Sequence, residues 1–185
     1  MPGRNKTPRF HCRLPVCVFL ALNVFAQTAD EYQVKAAFLY NFAKFVEWPL
    51  QTFKTDKEPI RICVLGQDPF AGALVQTVGG KTVLGRTFVV VDISDVTPGG
   101  NCQMLFVGSS EKKRLRALLA EVPPTGVLTV GETDGFANEG GIVNFKVEGG
   151  RIGIEINNDA ALRAKLRISS KLLSLAQIVK TEAAK

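Results

Sequence analysis

The sequence predicts an α/β protein with three layers: a mainly parallel sheet, helices on both of its faces, and an antiparallel C-terminal hairpin. Two observations predict this class. Between residues 31 and 140, short apolar runs rich in β-branched residues alternate with segments of helical periodicity, as in sheets with helical crossovers. From residue 142 to 157 the period becomes a strict alternation. In its middle, Glu148-Gly149-Gly150-Arg151 supplies the positive φ that a tight hairpin turn requires.

The first 26 residues have the three-part form of a secretory signal peptide. Four basic residues and no acidic one precede the apolar run LPVCVFLALNVFA, in which Val24 and Ala26 are the small residues that a signal peptidase reads. The run is shorter than the roughly 20 residues that a membrane span needs, so cleavage near Ala26 is favoured over an N-terminal anchor. We therefore predict a signal peptide over 1–26, a periplasmic location and a single domain over 27–185.

Removal of the signal peptide narrows the classes of function. It carries four of the 23 basic residues and none of the 17 acidic ones, so the net charge falls from +6 to +2 and no basic patch is left for a nucleic acid. The only histidine, His11, is removed too, which argues against Ser-His or Cys-His catalysis and against a metal site. We predict a protein that is not an enzyme and has no cofactor or metal.

The first predicted element of the domain is a helix that Pro49 ends, because the residue before a proline is pushed out of the helical region. Lys35, Lys44 and Glu47 lie within this segment and exclude a second membrane span. The apolar face of the helix is predicted to consist of Val34, Phe38, Phe42, Phe45 and Val46, widened by Ala36, Leu39 and Ala43.

Buried strands are predicted next, over 60–66, 86–94, 102–108 and 127–132. In a doubly wound order 2-1-3-4 the first and third of these strands are neighbours. Cys63 lies in the first strand and Cys102 starts the third. An even pair of cysteines in an exported chain indicates a disulfide, with two free buried thiols as the alternative. The strand order and the disulfide therefore support each other.

Capping residues predict where the helices begin. Asp68 is expected to cap the helix AGALVQTV, with Pro69 in its first turn. Ser109 or Ser110 is expected to cap EKKRLRALLAEV, which ends before Pro123-Pro124. After the hairpin, Asn157 or Asn158 caps DAALRAKL, and Ser169 or Ser170 starts a last helix, SKLLSLAQIVK. The predicted buried stripe of that last helix is Leu172, Leu175, Ala176 and Val179.

Three loop segments are candidate chemical sites. The turn VLGQDPFAG after the first strand has neither of the glycine patterns of nucleotide-binding loops, and Asp68 would repel a phosphate. Gly108-Ser109-Ser110, with Lys112 and Lys113 near it, could cradle an anion, but a helix cap is favoured. Glu132 and Asp134, with Glu139 nearby, form a carboxylate pair, but acidic loops are commoner than acidic active sites.

Aromatic residues near the end of the first helix predict an interaction surface. Tyr40 and Trp48 lie off or beyond the apolar stripe, and Glu47-Trp48-Pro49 puts the only tryptophan at a helix end. Tryptophan is enriched in binding hot spots because it buries a large area at a low entropy cost. We predict that Glu47, Trp48, Pro49 and Tyr40 contact a partner or a ligand, with exposed parts of the last helix beside them; a plain core helix is the alternative.

Long segments of the chain, VKAAFLYNFAKFVEWP, RICVLG and GGRIGIEINNDAALRAKLRISSKLLSLAQIV, resemble the YfiR family of exported proteins. The resemblance implies a periplasmic repressor. Such a repressor binds the sensor domain of an inner-membrane diguanylate cyclase, holds down cyclic di-GMP synthesis, biofilm formation and exopolysaccharide output, and can be sequestered by an OmpA-like outer-membrane lipoprotein. Cys63 and Cys102 match one disulfide pair of that family, and a second pair has no counterpart here. A periplasmic small-molecule-binding sensor with its pocket near Trp48 is the alternative, and a homodimer is left open.

Overall fold

The computed structural model describes residues 18–97 and 100–181, with side chains from residue 30 onward. The basic start of the predicted signal peptide, residues 1–17, lies outside the described part. The helices are α1 (Val18–Phe45), α2 (Ala73–Val78), α3 (Leu115–Glu121), α4 (Asn158–Arg163) and α5 (Ser170–Leu173). The strands are β1 (Val46–Glu47), β2 (Ile60–Leu65), β3 (Phe88–Ile93), β4 (Met104–Val107), β5 (Leu128–Gly131), β6 (Val143–Glu148), β7 (Arg151–Ile156), β8 (Arg167–Ile168) and β9 (Gln177–Ile178).

A seven-stranded sheet in the order β3-β2-β4-β5-β6-β7-β9 forms the middle layer. Strands β3, β2, β4, β5 and β6 run parallel to one another, and β7 pairs antiparallel with β6. The predicted order, in which the first buried strand lies between the second and the third, is confirmed. The hairpin turn is also confirmed, because Gly149 and Gly150 both have positive φ, 56° and 75°.

Two hydrophobic clusters cover the two faces of the sheet, as the three-layer prediction requires. Alternation along β2 sends Ile62 and Val64 to the cluster that packs against α1 and α2. The same alternation sends Cys63 and Leu65 to the opposite face, where α3 packs. None of the helices in the described residues is long and apolar enough to cross a membrane.

The apolar face of α1 differs in detail from the prediction. Its fully buried centre is the set that was expected only to widen the face, Ala36, Leu39 and Ala43, together with Phe42. Val34 is 40% exposed, and Val46 is not helical. The helix ends at Phe45 rather than before Pro49, because Val46 and Glu47 pair antiparallel with Ile168 and Arg167.

The last predicted helix is wrong beyond Leu173. Helix α5 spans Ser170–Leu173, and the chain then turns into β9, which pairs with the outer edge of β7. Leu175, expected in the buried stripe, is 75% exposed. The edge of β7 offers backbone hydrogen bonds to this segment, including one from Val179 N to Ile156 O, and these outweigh its helical periodicity.

The caps were predicted in part. Asn157 caps α4 by accepting from Ala160 N, and Ser169 caps α5 by accepting from Leu172 N. Ser109 starts a 3-10 helix, Ser109–Arg114, that leads into α3. Asp68 is not an N-cap, because α2 begins only after Gly72, and the Asp68 carboxylate instead accepts from Phe70 N in a tight turn.

Candidate functional site

Helix α1 crosses the sheet between the side where the parallel strands end, the carboxyl edge, and the side where they begin, the amino edge. Each of these two sides holds a candidate site. Within the helix, Lys35 contacts Glu132, which directly follows β5. Beyond its end, Trp48 contacts Gln103, which directly precedes β4. The helix therefore runs across the parallel strands from their carboxyl ends to their amino ends. The residues predicted for partner binding lie at the amino edge, and the loop segments weighed for chemistry lie at the carboxyl edge.

The amino-edge surface comprises residues 47–50, which lie just beyond the helix. Glu47 lies directly across the short β1–β8 ladder from Arg167, and its carboxylate is 3.9 Å from the guanidinium Nε. Both side chains are exposed. An exposed pair of this kind contributes at most about 1 kcal/mol to stability, so a partner can engage either charge at little cost.

Trp48 is half-buried and has a structural role as well as an exposed part. Its indole Nε1 donates to the carbonyl of Gln103 at 3.2 Å, and its ring meets the ring of Phe53 edge-on, with centroids 6.3 Å apart. Gln103 is itself buried, and its side-chain oxygen accepts from Arg61 N. Trp48 is thus held in one orientation, which lowers the entropy that it would lose in an interface.

Two features of this surface were not anticipated from the sequence. Pro49 starts a short 3-10 helix whose first residue, Leu50, is 90% exposed beside the tryptophan. Arg86 lies over the ring of Phe53 at 3.8 Å from its centroid and donates to the carbonyl of Thr55. The position of Leu50 directly after Glu47-Trp48-Pro49 is the only signal in the sequence, since Phe53 and Arg86 are brought together by the fold.

Tyr40 occupies a different contact from Trp48. Its ring packs edge-on against Phe88 at 5.7 Å, and Lys81 and Lys44 lie 4.6 and 5.5 Å from its centroid. The aromatic neighbour of Trp48 is Phe53, so the two rings pack against different aromatic partners. A role for Tyr40 in partner binding remains a prediction.

The predicted disulfide is present. Cys63 on β2 and Cys102, just before β4, are bonded with their Cα atoms 5.8 Å apart. The bond lies in the cluster on the α3 face, away from α1. A disulfide of this kind is consistent with export to an oxidising compartment.

The carboxyl-edge cleft is lined by residues of all three candidate loop segments: the turn after β2, Ser109-Ser110 and Glu132. It has a volume of about 690 Å³ and opens where β2, β4 and β5 end. Gly66 makes this convergence possible, since its φ is +92° and a Cβ there would collide with Ser110 Oγ. The cleft is lined by Tyr32, Asp68, Phe70, Ser109, Ser110 and Glu132, among others.

Backbone N–H groups at this edge do not form the phosphate cradle that was considered. Gln67 N donates to Ser110 Oγ at 3.1 Å, and Ser109 N donates to Glu132 Oε1 at 3.1 Å. Phe70 N donates to Asp68 Oδ1 at 2.8 Å. Oxygens of the chain itself accept from these N–H groups, which agrees with the prediction that the segments are ordinary turns and helix caps.

Glu132, which lines the cleft, belongs to an ion cluster with Lys35 and Glu31. Lys35 is 3% exposed, and its Nζ lies 2.5 Å from Glu31 Oε1 and 2.8 Å from Glu132 Oε2. Burial, reinforced by the charge of Glu132, raises the pKa of Tyr32 above its usual range. Tyr32 therefore stays protonated and donates to Glu132 Oε1 at 3.4 Å. Asp134, expected beside Glu132, points to solvent instead.

The sequence contained a signal for this cluster that was not used. Lys35, Leu39 and Phe42 are spaced at i, i+4 and i+7, which puts the lysine on the buried face of the helix. A cation on that face needs a buried counter-ion. Glu132, at the end of a buried strand, was the residue to expect.

A comparison with protein families places both candidate sites within one family. The YfiR/HmsC-like family model matches residues 32–177, which include both edges of the sheet and the disulfide. A comparison with curated proteins found no match. The family is regulatory rather than catalytic, and it suggests a periplasmic regulator of cyclic di-GMP signalling. With most of its length matched by that family model, the chain belongs to the YfiR/HmsC-like family.

Proposed function

We propose that this protein is a periplasmic repressor that binds the sensor domain of an inner-membrane diguanylate cyclase. Binding lowers cyclic di-GMP and, with it, biofilm formation and exopolysaccharide output. The observation that carries the proposal is the family match over residues 32–177. The disulfide and the signal peptide predicted over 1–26, with cleavage near Ala26, support a periplasmic location.

The amino-edge surface is the proposed contact with the cyclase. An almost fully exposed leucine, Leu50, adjoins a tryptophan that is already fixed by its bond to Gln103. Arg167 and Glu47 flank them with opposite charges that are free to re-pair. Anchored aromatic residues with an apolar neighbour and a charged rim are the usual composition of a binding hot spot.

Repression follows if this surface prefers one conformation of the sensor domain. A ligand shifts a two-state equilibrium only by the difference between its affinities for the two states. Moving a cyclase from 1:99 to 99:1 in favour of its inactive state needs a difference of about 5.5 kcal/mol. One protein interface of ordinary size supplies that much, so no chemical step by this protein is required.

An OmpA-like outer-membrane lipoprotein is proposed as the antagonist. If it competes for the same amino-edge surface, it sequesters the repressor and releases the cyclase. Competition makes the two complexes mutually exclusive, so a substitution on this surface is expected to weaken both.

Affinity capture tests the proposed partner and surface together. The tagged protein is used to capture membrane proteins from the source organism, alongside a Leu50→Asp variant and a Val75→Asp control. Val75 is also exposed, at 57%, but lies on α2. The wild type and the control are expected to capture a membrane protein with a diguanylate cyclase domain, and Leu50→Asp to lose it. Equal capture by all three contradicts the proposed surface, and capture of no cyclase by any of them contradicts the proposed function.

A small-molecule-binding role is the second candidate, but the structure does not favour Trp48 as its centre. The indole N–H is used by Gln103, and the ring packs against Phe53. The observation that favours ligand binding is the cleft at the opposite edge of the sheet.

A further inference from the structure

The carboxyl-edge cleft lies at the point where the sheet changes its winding direction. β2 has β3 on one side and β4 on the other. The chain leaves β2 for α2, which packs against α1 on one face, and leaves β4 for α3 on the opposite face. Because the two connections diverge, a crevice opens between them, and in open α/β sheets ligands bind in this crevice.

The cleft has the size and the apolar wall of a small-molecule site. Its volume of about 690 Å³ falls within the range of about 300–1,000 Å³ that is usual for such sites. Phe70 is almost fully buried and meets Tyr32 edge-on at 5.6 Å and Phe106 at 4.8 Å. These contacts fix Phe70, so an apolar wall exists before any ligand binds.

The charge in and around the cleft is negative. The charged side chains that line it are two carboxylates, Asp68 and Glu132, and no cation among the described residues lines it. The Asp68 carboxylate is exposed, and its Oδ1 accepts from Phe70 N. The backbone N–H groups of Gln67 and Ser109 already donate to Ser110 Oγ and Glu132 Oε1. The charge that the lining presents to a ligand is therefore negative, which favours a cation and disfavours an anion.

We propose that the carboxyl-edge cleft binds a small organic molecule that carries an ammonium group on an apolar body. The ammonium group lies at the exposed carboxylate of Asp68, and the apolar body lies against Phe70 and Tyr32. Binding here does not depend on the repressor function, because it concerns the isolated protein and the edge of the sheet opposite to the proposed partner surface.

The test is a titration of the purified, isotope-labelled protein followed by NMR. The probes are 2-phenylethylamine, the neutral 2-phenylethanol and the anionic phenylacetate, which share one apolar body and differ in charge. Asp68→Asn removes a charge but keeps the oxygen that accepts from Phe70 N. Asp56→Asn makes the same change in the exposed loop before β2, at the other edge of the sheet.

The amine is expected to shift the amide signals of Gln67, Phe70 and Ser109. The alcohol should bind about tenfold more weakly, the order expected for one charge-assisted hydrogen bond, and phenylacetate weaker still. Asp68→Asn should weaken amine binding by a similar factor, and Asp56→Asn should leave it unchanged. The proposal is overturned if the amine shifts no signal at the cleft up to its solubility. It is equally overturned if the alcohol or the acid binds as tightly, or if the two variants behave alike.

Discussion

At the scale of single residues, Lys35 determines how α1 is held at the carboxyl ends of the parallel strands. It is the one cation between two carboxylates, and it is almost completely buried. Burying a charge is costly unless it is paired, and removing one partner leaves the other uncompensated. The Glu132 side chain is buried because it directly follows strand β5. Lys35 stabilises the fold by pairing with this buried carboxylate.

Replacing Lys35 is expected to destabilise the protein strongly. Lys35→Met should lower the free energy of unfolding by about 3–5 kcal/mol, because Glu132 is left buried without a counter-ion. Urea unfolding followed by circular dichroism measures the change. Lys44→Met, at an exposed position on the same helix, is the control and should cost less than about 1 kcal/mol.

A double substitution separates the charge effect from simple loss of packing. Lys35→Met combined with Glu132→Leu removes both charges of the Lys35–Glu132 pair. The double variant should therefore recover much of the stability lost in Lys35→Met alone. Additive losses would show that the ion pair does not act as a unit, and a Lys35→Met variant as stable as the Lys44→Met control would contradict the account.

At the scale of elements, the ends of the helices and strands were harder to predict than their centres. The strands of the parallel sheet follow from their apolar, β-branched runs, and Asn157 and Ser169 mark their helices because their side chains accept from backbone N–H groups. The chain after Leu173 has a helical period, yet it forms β9. Pairing with β7 depends on a strand about 20 residues earlier in the sequence, and a local pattern carries no information about that partner.

The disulfide ties two neighbouring strands together and should contribute several kcal/mol to stability. Cys63 and Cys102 are 39 residues apart in the sequence. The loop-closure argument then gives about 4 kcal/mol of stabilisation. Cys63→Ala/Cys102→Ala should lower the free energy of unfolding by about that amount, measured by urea unfolding without reductant.

Reductant provides the control for that measurement. It should destabilise the wild type and leave the double-alanine variant unchanged, because the variant has no disulfide to lose. A wild type whose urea midpoint does not move once the bond is reduced would show that the bond is not a stabilising link between β2 and β4.

At the scale of the whole molecule, the fold could be predicted and the cleft could not. The order of the parallel strands follows from the doubly wound pattern and agrees with the positions of the two cysteines. The cleft is assembled from Tyr32, Asp68, Ser109 and Glu132, which come from four separate segments. Each segment alone looks like part of a helix, a turn, a cap or an acidic loop, and the cleft that Asp68 and Glu132 share appears only when the sheet brings these segments together.

The amino-edge surface could be predicted from the sequence only in part. Glu47, Trp48 and Pro49 are adjacent in sequence, so a local argument could single them out. Their neighbours Phe53 and Arg86 could not be found in that way, since their contact depends on how β3 enters the sheet.

The most direct test of the proposed repressor function is the concentration of cyclic di-GMP in cells. It is measured in the source organism, in a strain that lacks this gene, and in that strain complemented with the wild type or with Leu50→Asp. The account predicts that cyclic di-GMP rises several-fold without the gene, returns to its low level with the wild type, and stays high with Leu50→Asp although that protein is folded and exported. An unchanged concentration of cyclic di-GMP in the strain without the gene would contradict the account.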